Sequence, residues 1–234
     1  MRPMTESETT ATSTAPEANG TAGTNGDQLR DEQKRAMLAG YAVLAETCAE
    51  ALLNEPSETV LGDVRRVAQA LGDTRFDGIQ AGPELTQRYY DRLFVSSSPY
   101  FVPLVESSIT KRVTSNGKLT YGPLRSARGD HALACYREVG FDYRALRGYE
   151  MTVKSLHPDS LAAELAFLAE LARAAAGEQA EAPAARRLLA DFLRRHAGWF
   201  ADAADCLAER DDDLYARVAA LAAESTAELA DALK

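Results

Sequence analysis

The side chains able to do chemistry in this chain are dispersed rather than grouped. The three histidines, His131, His157 and His196, sit on separate expected elements and share no HxxxH or HxxE spacing, so no metal-ligand set can be read from them. Cys48, Cys135 and Cys206 form no CxxC or CxH pair, which argues against a zinc site or a disulfide framework and suits a reducing compartment. There is no GxSxG elbow, phosphate loop or Rossmann glycine fingerprint; the serine–glycine combinations are turn chemistry. Nothing positive marks a Cys–His pair. These residue types ask for no catalysis, no metal and no cofactor.

Two polar residues are nonetheless oddly placed. In His157 to Leu171 a short polar turn feeds a helix whose Leu161, Leu165, Phe167, Leu168 and Leu171 fall on an arc about 160° wide. Pro158 suits the helix start, and Asp159 or Ser160 its cap. So wide an arc marks the central, buried helix of a bundle. Glu164 falls inside it, whereas Glu170 points away. A carboxylate there must be paired or hydrogen-bonded, since burying it alone costs roughly several kcal/mol. His196, between Phe192 and Trp199, occupies the same kind of position on a later helix. The two either satisfy each other and fix helix register, or each bonds separately to backbone or water. A separation beyond about 6 Å excludes the direct pair.

The elements that must position these groups read as helices. Residues 1–28, rich in Thr, Ser, Gly and Ala, hold almost nothing to bury and are expected to be a disordered tail, leaving 29–234 as one all-α bundle domain. Three- and four-residue apolar steps predict helices from Asp31 to Leu52, from Ser57 to Leu71, from Pro83, from Gly122-Pro123 to Gly140, over the central stretch, from about Pro183 to Leu207, and after Asp213. The loop SSSPYFVPLVESS carries two prolines and two aromatics, and Asn116-Gly117 marks a turn. Residues 141–157 give no clear pattern, and no strand pattern is seen. A net charge of -9 and a pI of about 5.0 exclude a nucleic-acid surface as the main function. No apolar run looks long enough to span a membrane and no secretory signal is present, so the expected address is cytoplasmic.

Ordered blocks carry the reading further. Tyr90-Asp91-Arg92-Leu93-Phe94, Pro103-Leu104-Val105-Glu106-Ser107, Tyr136 to Gly140, Pro158-Asp159-Ser160-Leu161 with Glu164 to Leu168, and Phe192-Leu193 with His196 and Trp199 follow one another over residues 31–220. In this order the chain resembles the TorD/DmsD/NarJ family of redox-enzyme maturation chaperones. The family's P-D-H-L reads Pro158-Asp159-Ser160-Leu161 here, and His157 is the candidate to replace the missing histidine. The resemblance implies a TorD-like helical chaperone without turnover, monomeric or homodimeric. Its expected partner is a molybdoenzyme catalytic subunit, held by its twin-arginine signal peptide until the cofactor is inserted. Binding a subunit's N-terminus without export, as NarJ does, is the variant; a helical nucleotide hydrolase is the rival class. On this reading Asp159 and Glu106 take the guanidinium groups. Ser160, His157, Tyr90, Tyr100, Phe101, Pro103 and Leu104 line the groove, while Glu164, His196 and Trp199 form a structural polar core.

Overall fold

The protein is described by a computed structural model covering residues 21–116 and 118–234. Along the chain two units are distinguished, Met1–Gln33 and Lys34–Lys234. Residues 1–20 of the expected tail lie outside the described residues. Thr21 to Gln28 are helical instead, because extending an existing helix adds a hydrogen bond for each residue fixed.

Ten α-helices are found among the described residues. The first, α1 (Thr21–Leu53), is followed by α2 (Glu58–Ala70), whose first turn is closed by the Ser57 hydroxyl accepting from the Val60 amide. Pro83 sets the first turn of α3 (Pro83–Leu93). A short α4 (Glu106–Ile109) precedes a hairpin of β1 (Val113–Ser115) and β2 (Lys118–Thr120). This hairpin corrects the strand-free expectation: Asn116 adopts the left-handed φ of 53° that two-residue hairpin turns need, and strands of three residues leave no legible alternation. Next, α5 (Ala127–Val139) begins at the Ser126 cap, not at Gly122-Pro123, since Gly122 is bound through its amide to the Ser108 carbonyl. Gly140 ends α5 at φ 73°, as the sequence suggests. Residues 141–157 hold a 3-10 turn (Tyr143–Ala145) and α6 (Glu150–Ser155).

The central helix α7 (Leu161–Ala176) buries Leu161, Leu165, Phe167 and Leu168 completely. It lies against α8 (Ala182–His196), while α9 (Trp199–Ala208) lies against α10 (Leu214–Ala232). The single helix expected over 183–207 is thus two, parted at Ala197-Gly198, where the glycine lowers helix propensity. The stretch Gln28–Leu53 of α1 is long and apolar enough to cross a membrane, contrary to the expectation. Leu38, Leu44, Ala45, Cys48 and Leu52 of that stretch are core residues, which accounts for its hydropathy.

One polar residue of the core escaped the sequence. Arg92 is 0% exposed, and its guanidinium donates to Asp213 (2.8 Å) and to the carbonyls of Tyr100, Leu207 and Asp211. Asp213 meanwhile caps α10 by accepting from the Tyr215 and Ala216 amides. The end of α3 is thereby joined to the α9–α10 corner. Arg92→Met should cost about 3–5 kcal/mol in urea unfolding, the range for breaking a buried ion pair from one side; a loss under about 1 kcal/mol would show that the site hydrates and relaxes.

Candidate functional site

The site grows from a backbone junction. Residues 104–106 and 159–161 run antiparallel, with the Glu106 amide donating to the Asp159 carbonyl (2.8 Å) and the Leu161 amide to the Leu104 carbonyl (3.0 Å). This ties the P-x-x-E-S loop to the start of α7. The Asp159 carboxylate accepts from the Ser107 amide (3.0 Å) and also from the Ser107 hydroxyl. Ser126 donates in turn to Ser107 (2.6 Å) and accepts from the Arg128 amide. The Asp159 carboxylate packs so closely on α5 that a Cβ at Gly129 would lie 2.9 Å from Asp159 Oδ1. Only glycine admits that approach.

Deeper in, Glu106, Glu164 and His196 meet, all buried. Glu106 Oε1 accepts from Arg128 (2.7 Å), and Glu106 Oε2 lies 2.7 Å from His196 Nδ1. The other ring nitrogen of His196 lies 2.7 Å from His131 Nδ1, and the two rings stack. Trp199 Nε1 donates to Glu164 Oε2 (2.8 Å), leaving Glu164 Oε1 without a hydrogen bond, 3.5 Å from His196 Nδ1. Burial, reinforced by neighbouring Glu106, pushes the Glu164 carboxyl well above the usual carboxylate range. Burial, then His196, pulls His131 below the ordinary histidine value. The three buried residues each offer one donor atom within 4.8 Å of the others, the kind of set that holds a metal ion.

Beside this junction a groove of about 1100 Å³ runs between the start of α5, the 3-10 turn, α6 and the segment 156–159. Leu124, Leu133, Tyr143, Val153 and Leu156 give it apolar walls, while Arg125, Arg144, Lys154 and Asp130 stand among its lining. A smaller pocket of about 90 Å³ lies on the other side of residues 155–157, between Leu93, Phe94, Leu104 and Ser160.

Measured against this geometry, the expected site residues separate into three groups. His157 lines both cavities, Asp159 the larger one, and Leu104 and Ser160 the smaller. Glu164, His196 and Trp199 do form one buried polar cluster, and Glu164 lies within pairing range of His196. The direct partner of His196, however, is Glu106, which was expected in the groove. Asp159 and Glu106, the carboxylates expected to take guanidinium groups, are both buried and already bonded within the fold. Neither Asp159 nor Ser160 caps α7 through its side chain: Ser160 holds the cap position with its hydroxyl unpartnered. Tyr90 and the prolyl-aromatic loop go elsewhere. The Tyr90 hydroxyl donates to Glu55, and its ring packs with Tyr89, Phe94 and Tyr149. Tyr100 lies under the Arg88 guanidinium at 3.4 Å, Pro103 is buried, and Phe101 lines neither cavity. Sequence reading missed Arg128, His131, Ser126 and Gly129 because nothing local marks a contact made across helices. The apolar and charged lining at Leu124, Arg125 and Asp130 was concealed by the misplaced start of α5.

A family model described as nitrate reductase delta subunit matches residues 54–205 of the chain. None of the curated proteins matches it. Among solved structures it is similar to an Archaeoglobus fulgidus protein provisionally assigned as a redox enzyme maturation protein, at 21% identity and a TM-score of 0.46. That alignment covers 78% of this chain and 91% of the other.

The close approach at Gly129 has a measurable consequence. Gly129→Ala should lower stability by about 1–3 kcal/mol, as overpacking does. Gly40→Ala, at a helical glycine with nothing within 4 Å, should raise it by about 0.5–1 kcal/mol. Thermal unfolding of the two variants checks the opposite signs, and equal shifts would mean that Asp159 simply moves aside.

Proposed function

The chain belongs to the nitrate reductase delta subunit family, which comprises NarJ/TorD-type chaperones for molybdoenzymes and not catalysts, and from that premise we propose that it binds the N-terminal segment of its client's catalytic subunit in the groove beside α5. The observation that carries this reading is the groove itself. It is large enough for several side chains, apolar along its walls, and bounded by the His157–Asp159 turn. An amphipathic segment would lay its apolar face on Leu124, Leu133 and Leu156. Asp159 and Glu106 serve this reading from below, by fixing the turn and the loop that shape the groove. His157 would meet the ligand directly, while Ser160 and Leu104 stand behind it in the smaller pocket.

The groove's own charge bears on which segment it takes. Although the chain carries a net charge of -9, Arg125 and Arg144 line the groove, with Lys154 paired to Glu150, against Asp130 and the internally bonded Asp159. Two arginines of a signal peptide find one unengaged carboxylate there, Asp130. The local balance favours a segment that is apolar with neutral or acidic flanks, so binding of an N-terminus without export is preferred over capture of a twin-arginine signal. This work would take place in the cytoplasm, where the client receives its cofactor before assembly.

Calorimetric titration with N-terminal peptides of molybdoenzyme subunits from the same genome tests the proposal. One peptide should bind with a dissociation constant near the micromolar range, about −8 kcal/mol. Leu124→Asp, at a side chain 48% exposed and therefore harmless to folding, should weaken it at least about tenfold. Replacing any arginines of the peptide by glutamine should change affinity little. A strong dependence on those arginines would overturn the preference for a non-exported client, and binding unaffected by Leu124→Asp would remove the groove.

A further inference from the structure

We propose that Glu106, Glu164 and His196 form a binding site for one divalent transition-metal ion of the zinc or manganese type. The proposal is independent of the peptide groove. Glu106 Oε2 lies 2.7 Å and Glu164 Oε1 3.5 Å from His196 Nδ1, and the three donor atoms all lie within 4.8 Å of one another. An ion about 2.0–2.2 Å from each donor needs them about 3–3.6 Å apart, so the 2.7 Å pair has to open by several tenths of an ångström and the Glu106–Glu164 spacing, bounded by 4.8 Å, to close by at most about 1.2 Å. Two carboxylates and an imidazole are a donor set that such ions accept.

A second observation points to a missing partner. Glu164 Oε1 is fully buried, aimed at His196, and makes no hydrogen bond. A proton there would lack an acceptor, because the facing nitrogen of His196 is engaged by Glu106. Orphaned oxygens at such depth are rare and costly. A cation satisfies this oxygen and its two neighbours at once.

The surroundings are arranged as ligand supports usually are. Each candidate ligand has its other polar atom held by a protein group: Glu106 Oε1 by Arg128, Glu164 Oε2 by Trp199, and His196 Nε2 by His131. An ion would replace the hydrogen between His196 Nδ1 and Glu106, the ring then carrying its hydrogen on Nε2 and donating to His131 Nδ1. A surface depression lined by Arg128, His131 and Arg195 opens on the His196 side of the cluster. The ion would fasten α4, α7 and α8 together beneath the groove.

Trp199, the chain's single tryptophan, reports on the site because its indole bonds to Glu164. The chelator-treated full-length protein is titrated with Zn²⁺, and separately with Co²⁺ for its visible ligand-field bands. The expected result is a saturable change in Trp199 emission at one ion per chain, with cobalt bands of low symmetry and a higher Tm. Glu164→Gln keeps an acceptor for Trp199 but should abolish the change. His131→Ala should weaken binding about 10–100-fold, as loss of a ligand's support does. Glu106→Gln supplies the same test should Glu164→Gln fold poorly. A folded wild-type protein whose emission and Tm ignore both ions overturns the site. So does ion binding that survives unchanged in Glu164→Gln and Glu106→Gln, which would place the ion on the surface.

Discussion

Carboxylates cannot leave water unaccompanied, and this fold withdraws three of them at one junction. Glu106, Asp159 and Glu164 are each at most 1% exposed. Every one is met by donors from a different stretch of chain: Arg128 for Glu106, Ser107 for Asp159, Trp199 for Glu164. Apolar packing alone tolerates sliding of one helix along another, because it is non-directional. Hydrogen bonds to buried charges do not, since a slip of one residue leaves a charge bare at a cost of several kcal/mol, roughly. The register of α4, α5, α7 and α9 therefore follows from satisfying these three groups.

That arrangement separates the buried polar floor from the walls of the groove proposed to take a ligand. The buried carboxylates form the floor and fix where the 104–106 strand and the 157–160 turn stand. The groove walls are made of side chains with no internal polar obligation, Leu124, Leu133 and Leu156 among them. Variation at the walls can change what is bound without disturbing the floor. For a chaperone this is a workable division, because binding and stability then draw on different residues.

Helices were legible in the sequence because their apolar period is long and regular, and ends such as Gly140 and Asp213 carry their own chemistry. Glu164 and His196 were legible as anomalies, since a polar residue within an apolar arc is a local fact. Their partner was not. Glu106 opens the four-residue α4 directly after a proline-containing loop, where depth leaves no periodic trace, and so it read as a surface carboxylate available to a ligand. Arg92 was hidden in the same way: its acceptors at Leu207, Asp211 and Asp213 lie 115 to 121 residues further on. The hairpin around Asn116 announced its turn but not its strands, which at three residues are too short to alternate visibly.

The long reach of Arg92 also sets an order of events during synthesis. The segments that wall the groove, 124–159, leave the ribosome well before Asp213 does. Until then the Arg92 guanidinium has neither its carboxylate nor two of its three carbonyls, and the Tyr41 hydroxyl still awaits Thr226 near the C-terminus. Closing such distant contacts is entropically late. A nascent chain therefore carries its groove segments before the distant contacts of Arg92 and Tyr41 can close.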